Sequence, residues 1–386
     1  LIMIRLGGKI RNKYPDGKTL TEVVRLKFGN KLFKLILLLS IFYMIIFLIA
    51  EVTAVAILIK YLAGTPLWIT SIIIITSSLA YTLYGGLRAS IFTDNIQFLI
   101  LITLLIISFW LLISYNSLIF NFEYIKENQP NLLSYNNYTN FTAGFTFFLA
   151  VSATNLFHQG NWQRIYAAQN NKVLKKSLII SFILIIPIVF LMGFTGLVAI
   201  SSNKSVVPDL SFFYLLFSEK TFIVSLIVIF LAISLTISSI DTLINAISSI
   251  IIVDVKDAVR FKGDSLIFSK IILIFISLIA FAISSRGISI LYLFLLADLF
   301  CCSAVLSVFL GFYRKKVFQK SMFSSILLGL FWGLLFFPYP DFSKSLLVGV
   351  IIPKEYFPEY ISNSLLFLSF LMATFLPIIS MNIVRK

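Results

Sequence analysis

Residues 233–257 read ISLTISSIDTLINAISSIIIVDVKD, a long apolar segment interrupted by small hydroxyl side chains and by Asp241. Hydrocarbon offers no hydrogen-bond partners, so an unsatisfied polar group costs roughly 2–7 kcal/mol in a bilayer. Clustered hydroxyl oxygens suit a small hard cation such as Na⁺, whereas Ser and Thr also join neighbouring membrane helices. The stretch therefore predicts either part of a sodium site or a helix-packing face.

The composition of the whole chain indicates an integral membrane protein. The sequence is 59% hydrophobic and 12% charged, far above the roughly 45–50% apolar share of soluble domains. About eleven apolar runs approach the ~20 residues that cross a bilayer. They lie at 1–8 (partial), 35–64, 67–84, 94–115, 142–158, 175–200, 221–252, 267–284, 289–312, 322–338 and 361–382. The sequence thus predicts an all-α polytopic bundle whose partner is the lipid bilayer.

The net charge of +15 is explained by orientation. Most of the 31 Lys and Arg residues fall in alternate loops, beginning with residues 5–34. The positive-inside rule makes these loops cytoplasmic and places the C-terminus inside the cell. We therefore expect a protein of the inner or plasma membrane and no nucleic-acid partner.

The runs suggest one membrane domain over 1–386, with core helices in 1–312 and two peripheral helices in 313–386. The chain begins with Leu1 inside an apolar run, so we expect a truncated N-terminus. Gly85-Gly86 predicts a break between two spans, and Thr93-Asp94 predicts the N-cap of the second span.

Polar side chains inside the spans are the candidate solute contacts. Glu51 lies at the middle of its span, where a carboxylate is costly and is either functional or held by a structural hydrogen bond. Near the end of 142–158, Ser152, Thr154 and Asn155 are also candidates. The sole histidine, His158, is expected to be a hydrogen-bonded residue at the membrane interface.

Four blocks carry a family resemblance. TLTEVVRLKFGN (19–30), TLYGGLRASIFTDNIQ (82–97), HQGNWQRIYAAQN (158–170) and SSIDTLINAISSIIIVDV (238–255) resemble, in order, motifs of the sodium:solute symporter family. The resemblance implies a LeuT-type inverted-repeat fold with the solute site at the bilayer midplane. It also implies that residues 1–8 match only the end of the second core helix, so the first would be missing.

The resemblance further implies a sodium site on the eighth core helix, here 221–252. Ser238 and Ser239 would supply side-chain oxygens, Leu235 a backbone carbonyl, and Asp94 a carboxylate for a second sodium or for sodium exit. The block around residue 160 and the helix around residue 240 would supply gating or coupling residues, namely Gln159, Arg164 and Asp241.

The function that follows is sodium-coupled symport of a small organic solute by alternating access, with Na⁺ as the coupling ion. Proton coupling through Glu51, Asp241 or Asp298 stays open as an alternative, as does a symporter-like sensor domain. The sequence has no phosphate-binding loop, zinc cluster or Ser/His/Asp set, so no enzyme is expected.

Overall fold

In a computed structural model the protein is built from α-helices that assemble around three central spans. The structure describes residues 2–15, 17–115, 117–134, 136–202, 207–217, 221–314, 318–342, 345, 347–348 and 364–383. Within these ranges the side chains of residues 81, 84–90, 208, 382 and 383 are not part of the description. Leu1 and the last three residues, on which the predicted start and the predicted cytoplasmic C-terminus depend, lie outside it.

The helices follow one another with short connections. They are α1 (Ile2–Lys13), α2 (Leu20–Phe28), α3 (Asn30–Ala63), α4 (Leu67–Ser114), α5 (Phe122–Asn128), α6 (Tyr138–Phe157), α7 (Gln159–Ala167), α8 (Asn171–Ser201), α9 (Ser211–Leu216), α10 (Phe222–Ile250), α11 (Lys256–Val259), α12 (Ser265–Ser284), α13 (Ile290–Tyr313), α14 (Gln319–Phe336) and α15 (Leu365–Ile383). A π-helical turn, Ile251–Val255, joins α10 to α11. The described residues contain no strand, which agrees with the predicted all-α bundle.

Seven described helices are long and apolar enough to cross a membrane, and two more apolar helices are shorter. This is fewer than the predicted eleven runs. The partial run at 1–8 lies in α1, which is amphipathic and ends in Arg11 and Lys13. The run at 142–158 lies in α6, whose 20 residues include many Thr and Asn side chains.

The predicted helix break at Gly85-Gly86 is wrong. Helix α4 runs without interruption for 48 residues, and Asp94 lies inside it instead of capping a new helix. A glycine inside a helix costs only about 1 kcal/mol relative to alanine. Backbone groups freed by a break would need new partners in the membrane, which favours continuing the helix.

Burial separates central helices from lipid-facing ones. The most apolar parts of α3 and α13 are 67% and 72% buried, whereas that of α8 is only 6% buried. The terminal helices α14 and α15 pack against each other, where Ser369 Oγ donates to the Gly333 carbonyl oxygen at 2.6 Å. Cys301 and Cys302 are buried, unbridged packing residues of α13.

Helix α2 docks on the end of α10 through a group that we call the packed cluster: Thr21, Arg25, Asp254 and Asp257. Thr21 Oγ1 donates to Asp254 Oδ2 at 2.7 Å, and both residues are buried. Arg25 pairs with Asp257 at 2.6 Å. The predicted start of α2 is confirmed, since Thr19 caps it by accepting the Glu22 N–H at 3.0 Å.

Candidate functional site

A polar cavity of about 310 Å³ lies where α3, α6, α7 and α10 meet. Its charged and polar lining comes from elements far apart in the sequence, and Phe47 and Leu243 supply the apolar walls. The polar lining residues are Glu51, Asn155, His158, Asn161, Arg164, Ser238, Ser239 and Thr242. Five of the residues singled out from the sequence therefore meet in one cavity: Glu51, Asn155, Arg164, Ser238 and Ser239.

The oxygens predicted for sodium lie close together at the α4–α10 contact. Ser238 Oγ donates to Asp94 Oδ1 at 3.0 Å. One residue further along, Ser239 Oγ lies 3.3 Å from the Leu235 carbonyl oxygen. Hydroxyl, carbonyl and carboxylate oxygens are the donor types that a hard cation prefers. This donor set is chemically suited to Na⁺.

Arg164 holds the Asp94 carboxylate from the opposite side. Its Nη2 atom lies 2.8 Å from Asp94 Oδ2 and also donates to Thr242 Oγ1 at 3.2 Å. We call Asp94, Arg164, Ser238 and Thr242 the cavity cluster. A cation arriving at Asp94 must share this carboxylate with the guanidinium or displace it, because both are attracted to the same oxygens.

Glu51 connects the ion oxygens to the cavity. The Ser239 hydroxyl lies between two acceptors, the Leu235 carbonyl oxygen and the Glu51 carboxyl group. None of the ion pairs among the described residues involves Glu51. The carboxyl group is thus placed to receive a cationic group or an N–H donor of a bound molecule.

Two side chains of the cavity were not among the predicted contacts, and a third was judged differently. Asn161 and Thr242 lie one helical turn or less from predicted residues, so the polar spacing of α7 and α10 could have indicated them. His158 was expected to be hydrogen-bonded, yet its buried Nδ1 has no partner among the described residues. Its imidazole instead lines the cavity.

Other predicted residues lie away from the cavity. Thr154 is buried and donates a hydrogen bond to Asp298 of α13, while Ser152 does not line the cavity. Gln159 anchors α2, because its Oε1 accepts the Leu20 N–H and its Nε2 donates to the Lys18 carbonyl, both at 3.2 Å. Its contacts fit a coupling role better than solute contact.

Asp241 faces the other side of α10. Thr82 Oγ1 donates to Asp241 Oδ1 at 2.9 Å, and Asn245 Nδ2 donates to the same oxygen at 3.0 Å. Thr82 and Asn245 line a second cavity of about 280 Å³. Asp241 therefore joins α4 to α10 and is separated from the Glu51 cavity.

Comparisons with known proteins agree on one family. The family model described as the sodium:solute symporter family matches residues 6–329. A curated relative, the spermidine transporter DUR31 of Candida albicans, is 30% identical over 311 residues, which is 79% of this chain. The chain spans 58% of the length of that relative.

A solved structure of a Na⁺-coupled sialic acid symporter, in a substrate-bound outward-open state, shares the fold. It has a TM-score of 0.65 at 18% identity and covers 96% of this chain and 79% of its own. This likeness confirms the predicted transporter fold.

Proposed function

The chain belongs to the sodium:solute symporter family, and from that premise we propose that it carries a small organic solute across the cell membrane together with Na⁺. The observation that carries this proposal is the meeting of the α10 oxygens, the Asp94 carboxylate and Glu51 at one polar cavity. The bias of Lys and Arg toward alternate loops supports a cytoplasmic C-terminus.

In this proposal Na⁺ binds the oxygens of Ser238, Ser239 and the Leu235 carbonyl, and Asp94 supplies negative charge beside them. The Ser239 hydroxyl lies between this oxygen set and Glu51. A sodium ion at the Ser239 oxygen would turn the hydroxyl proton away from the Leu235 carbonyl and toward Glu51. Ion binding would thereby set the orientation of the carboxyl group that receives the solute, which is a direct route to coupling.

The solute site consists of Glu51 and Asn155, with His158 and Asn161 beside them. A carboxylate without an ion-pair partner among the described residues favours a solute that carries an amine or several N–H groups. The spermidine transporter among the relatives supports the same choice. Ser152 and Thr154 remain weaker proposals, because Thr154 is engaged by Asp298.

The test is solute uptake into proteoliposomes with an inward sodium gradient, a proton gradient or none. The solutes are spermidine, proline, urea, pantothenate, a sugar and a short monocarboxylate. Ser239→Ala should lower sodium-driven uptake about tenfold, because one lost ligand is worth ~1–3 kcal/mol. Ser225→Ala is the matched control, since Ser225 lies on the same helix and bonds only to the Thr221 carbonyl.

Glu51→Gln separates the solute site from the ion site. We expect it to raise the KM of a cationic solute by about tenfold or more, with little change in the sodium concentration for half-maximal uptake. Uptake that a proton gradient drives equally well, and that Ser239→Ala leaves intact, would contradict sodium coupling. It would favour proton coupling through the buried carboxyl groups.

A further inference from the structure

A groove of about 660 Å³ opens between the first turns of α3 and α14, away from the solute cavity. Lys31, Lys34 and Lys320 line its polar end. Leu35, Leu38 and Phe323 continue it along the helices, and Leu38 is 63% exposed. The groove thus has a basic end and an apolar floor that reaches the surface of the bundle.

The charge at this end is not neutralised by the protein. All three lysines are exposed, and none forms an ion pair within the described residues. Lys31 and Lys320 are each the second residue of a helix, where a cation opposes the helix dipole. Their positions therefore do not serve helix stability, which indicates that they serve an external anion.

The two helix starts add free donors to the same place. The N-cap residues Gly29 and Phe318 provide no side-chain cap, so the first backbone N–H groups of both helices lack side-chain acceptors. The buried Gln319 Nε2 also has no acceptor among the described residues. By contrast, α8 begins with three lysines but is capped by Asn170, whose Oδ1 accepts the Val173 N–H at 2.9 Å. Two uncapped helix N-termini beside three lysines form an anion site.

We propose that this groove binds an anionic phospholipid. The phosphate lies at Lys31, Lys34, Lys320 and the two helix N-termini, and one acyl chain lies along Leu35, Leu38 and Phe323. Basic pockets between membrane helices on the cytoplasmic side bind such headgroups. In the proposed orientation the loop before α3 is cytoplasmic, which places the groove in the leaflet that carries anionic lipid. The combination of a phosphate site with an apolar floor selects a lipid over a free anion.

The experiment measures lipid retention by native mass spectrometry of the purified protein, with phosphatidylglycerol or phosphatidylcholine added. The variant is K31Q/K34Q/K320Q. The matched control is K172Q/K175Q/K176Q, which removes the same charge from the exposed first turns of α8. We expect wild type and control to retain phosphatidylglycerol, and the groove variant to bind it about tenfold more weakly or worse.

Several results would overturn the proposal. These are equal loss in both triple variants, equal retention of phosphatidylcholine, and displacement of the lipid by inorganic phosphate at the same concentration. A second measurement needs no variant: retention of phosphatidylglycerol by the wild-type protein should fall as salt is raised. Retention that does not change with salt would contradict the assignment even if the triple variant failed to fold.

Discussion

Helix α10 carries two groups of hydroxyl and carboxylate side chains that differ in their surroundings. In the cavity cluster, Ser238 and Thr242 meet Asp94 and Arg164 beside a cavity of about 310 Å³. In the packed cluster, Thr21 meets Asp254, and both are fully buried. Similar chemistry thus appears once beside open space and once without it.

The difference shows which polar groups in a membrane helix are available for a ligand. A hydroxyl beside a cavity can exchange its partner for water, an ion or a solute. A hydroxyl packed against a buried carboxylate has no replacement partner, so it holds two elements together. The residue types alone would not separate the two roles.

The same substitution in both clusters gives the largest expected contrast. Thr21→Val should lower the free energy of unfolding by ~1–3 kcal/mol, because Asp254 loses its donor while buried. Thr242→Val should change it by less than ~0.5 kcal/mol, because the cavity admits a substitute partner. Detergent unfolding of the two variants measures both. Equal destabilisation would remove the distinction between the clusters.

A smaller effect is expected from the guanidinium that shares Asp94 with the ion. Arg164→Gln removes a competing cation at 2.8 Å, so the sodium concentration for half-maximal uptake should fall ~2- to 5-fold. Sodium titration of uptake measures this shift. Arg25→Gln is the control, since its partner Asp257 lies far from the cavity. A higher sodium requirement in Arg164→Gln would show that Arg164 assists the ion instead of competing with it.

The smallest effect concerns the exposed edge of the packed cluster. The hydrogen bond from Arg25 to Asp257 raises the pKa of the Arg25 guanidinium, yet the Asp257 side chain is 52% exposed. Arg25→Gln should therefore cost under ~1 kcal/mol of unfolding free energy, and high salt should remove most of the difference from wild type. Unfolding curves at low and high salt test this. A salt-independent loss above that size would indicate that the pair holds α2 in place.

Much of the architecture followed from local patterns in the sequence. Apolar runs placed the spans, and Thr19 with Glu22 predicted the start of α2, because both signals act within a few residues. The break at Gly85-Gly86 failed since the low cost of glycine in a helix did not outweigh the need to satisfy backbone groups in lipid.

The pairing of the polar side chains could not be derived in the same way. Arg164 and Asp94 are 70 residues apart, and nothing in either segment specifies the other. Thr154 and Asn155 are neighbours, but successive residues differ by ~100° around a helix. Asn155 therefore faces the cavity while Thr154 faces Asp298, and only the tertiary packing determines which is which.

The π-helical turn at Ile251–Val255 has a consequence for the phase of α10. In a regular helix the 16-residue interval from Ser238 would place Asp254 ~160° away from it, but one extra residue in a π turn reduces this to ~60°. The turn therefore behaves like a one-residue insertion that aims the end of the helix independently of its middle. Deleting one residue from 251–255 would rotate Asp254 away from Thr21 and leave the cavity face in register, so docking and ligand binding could vary separately in related sequences.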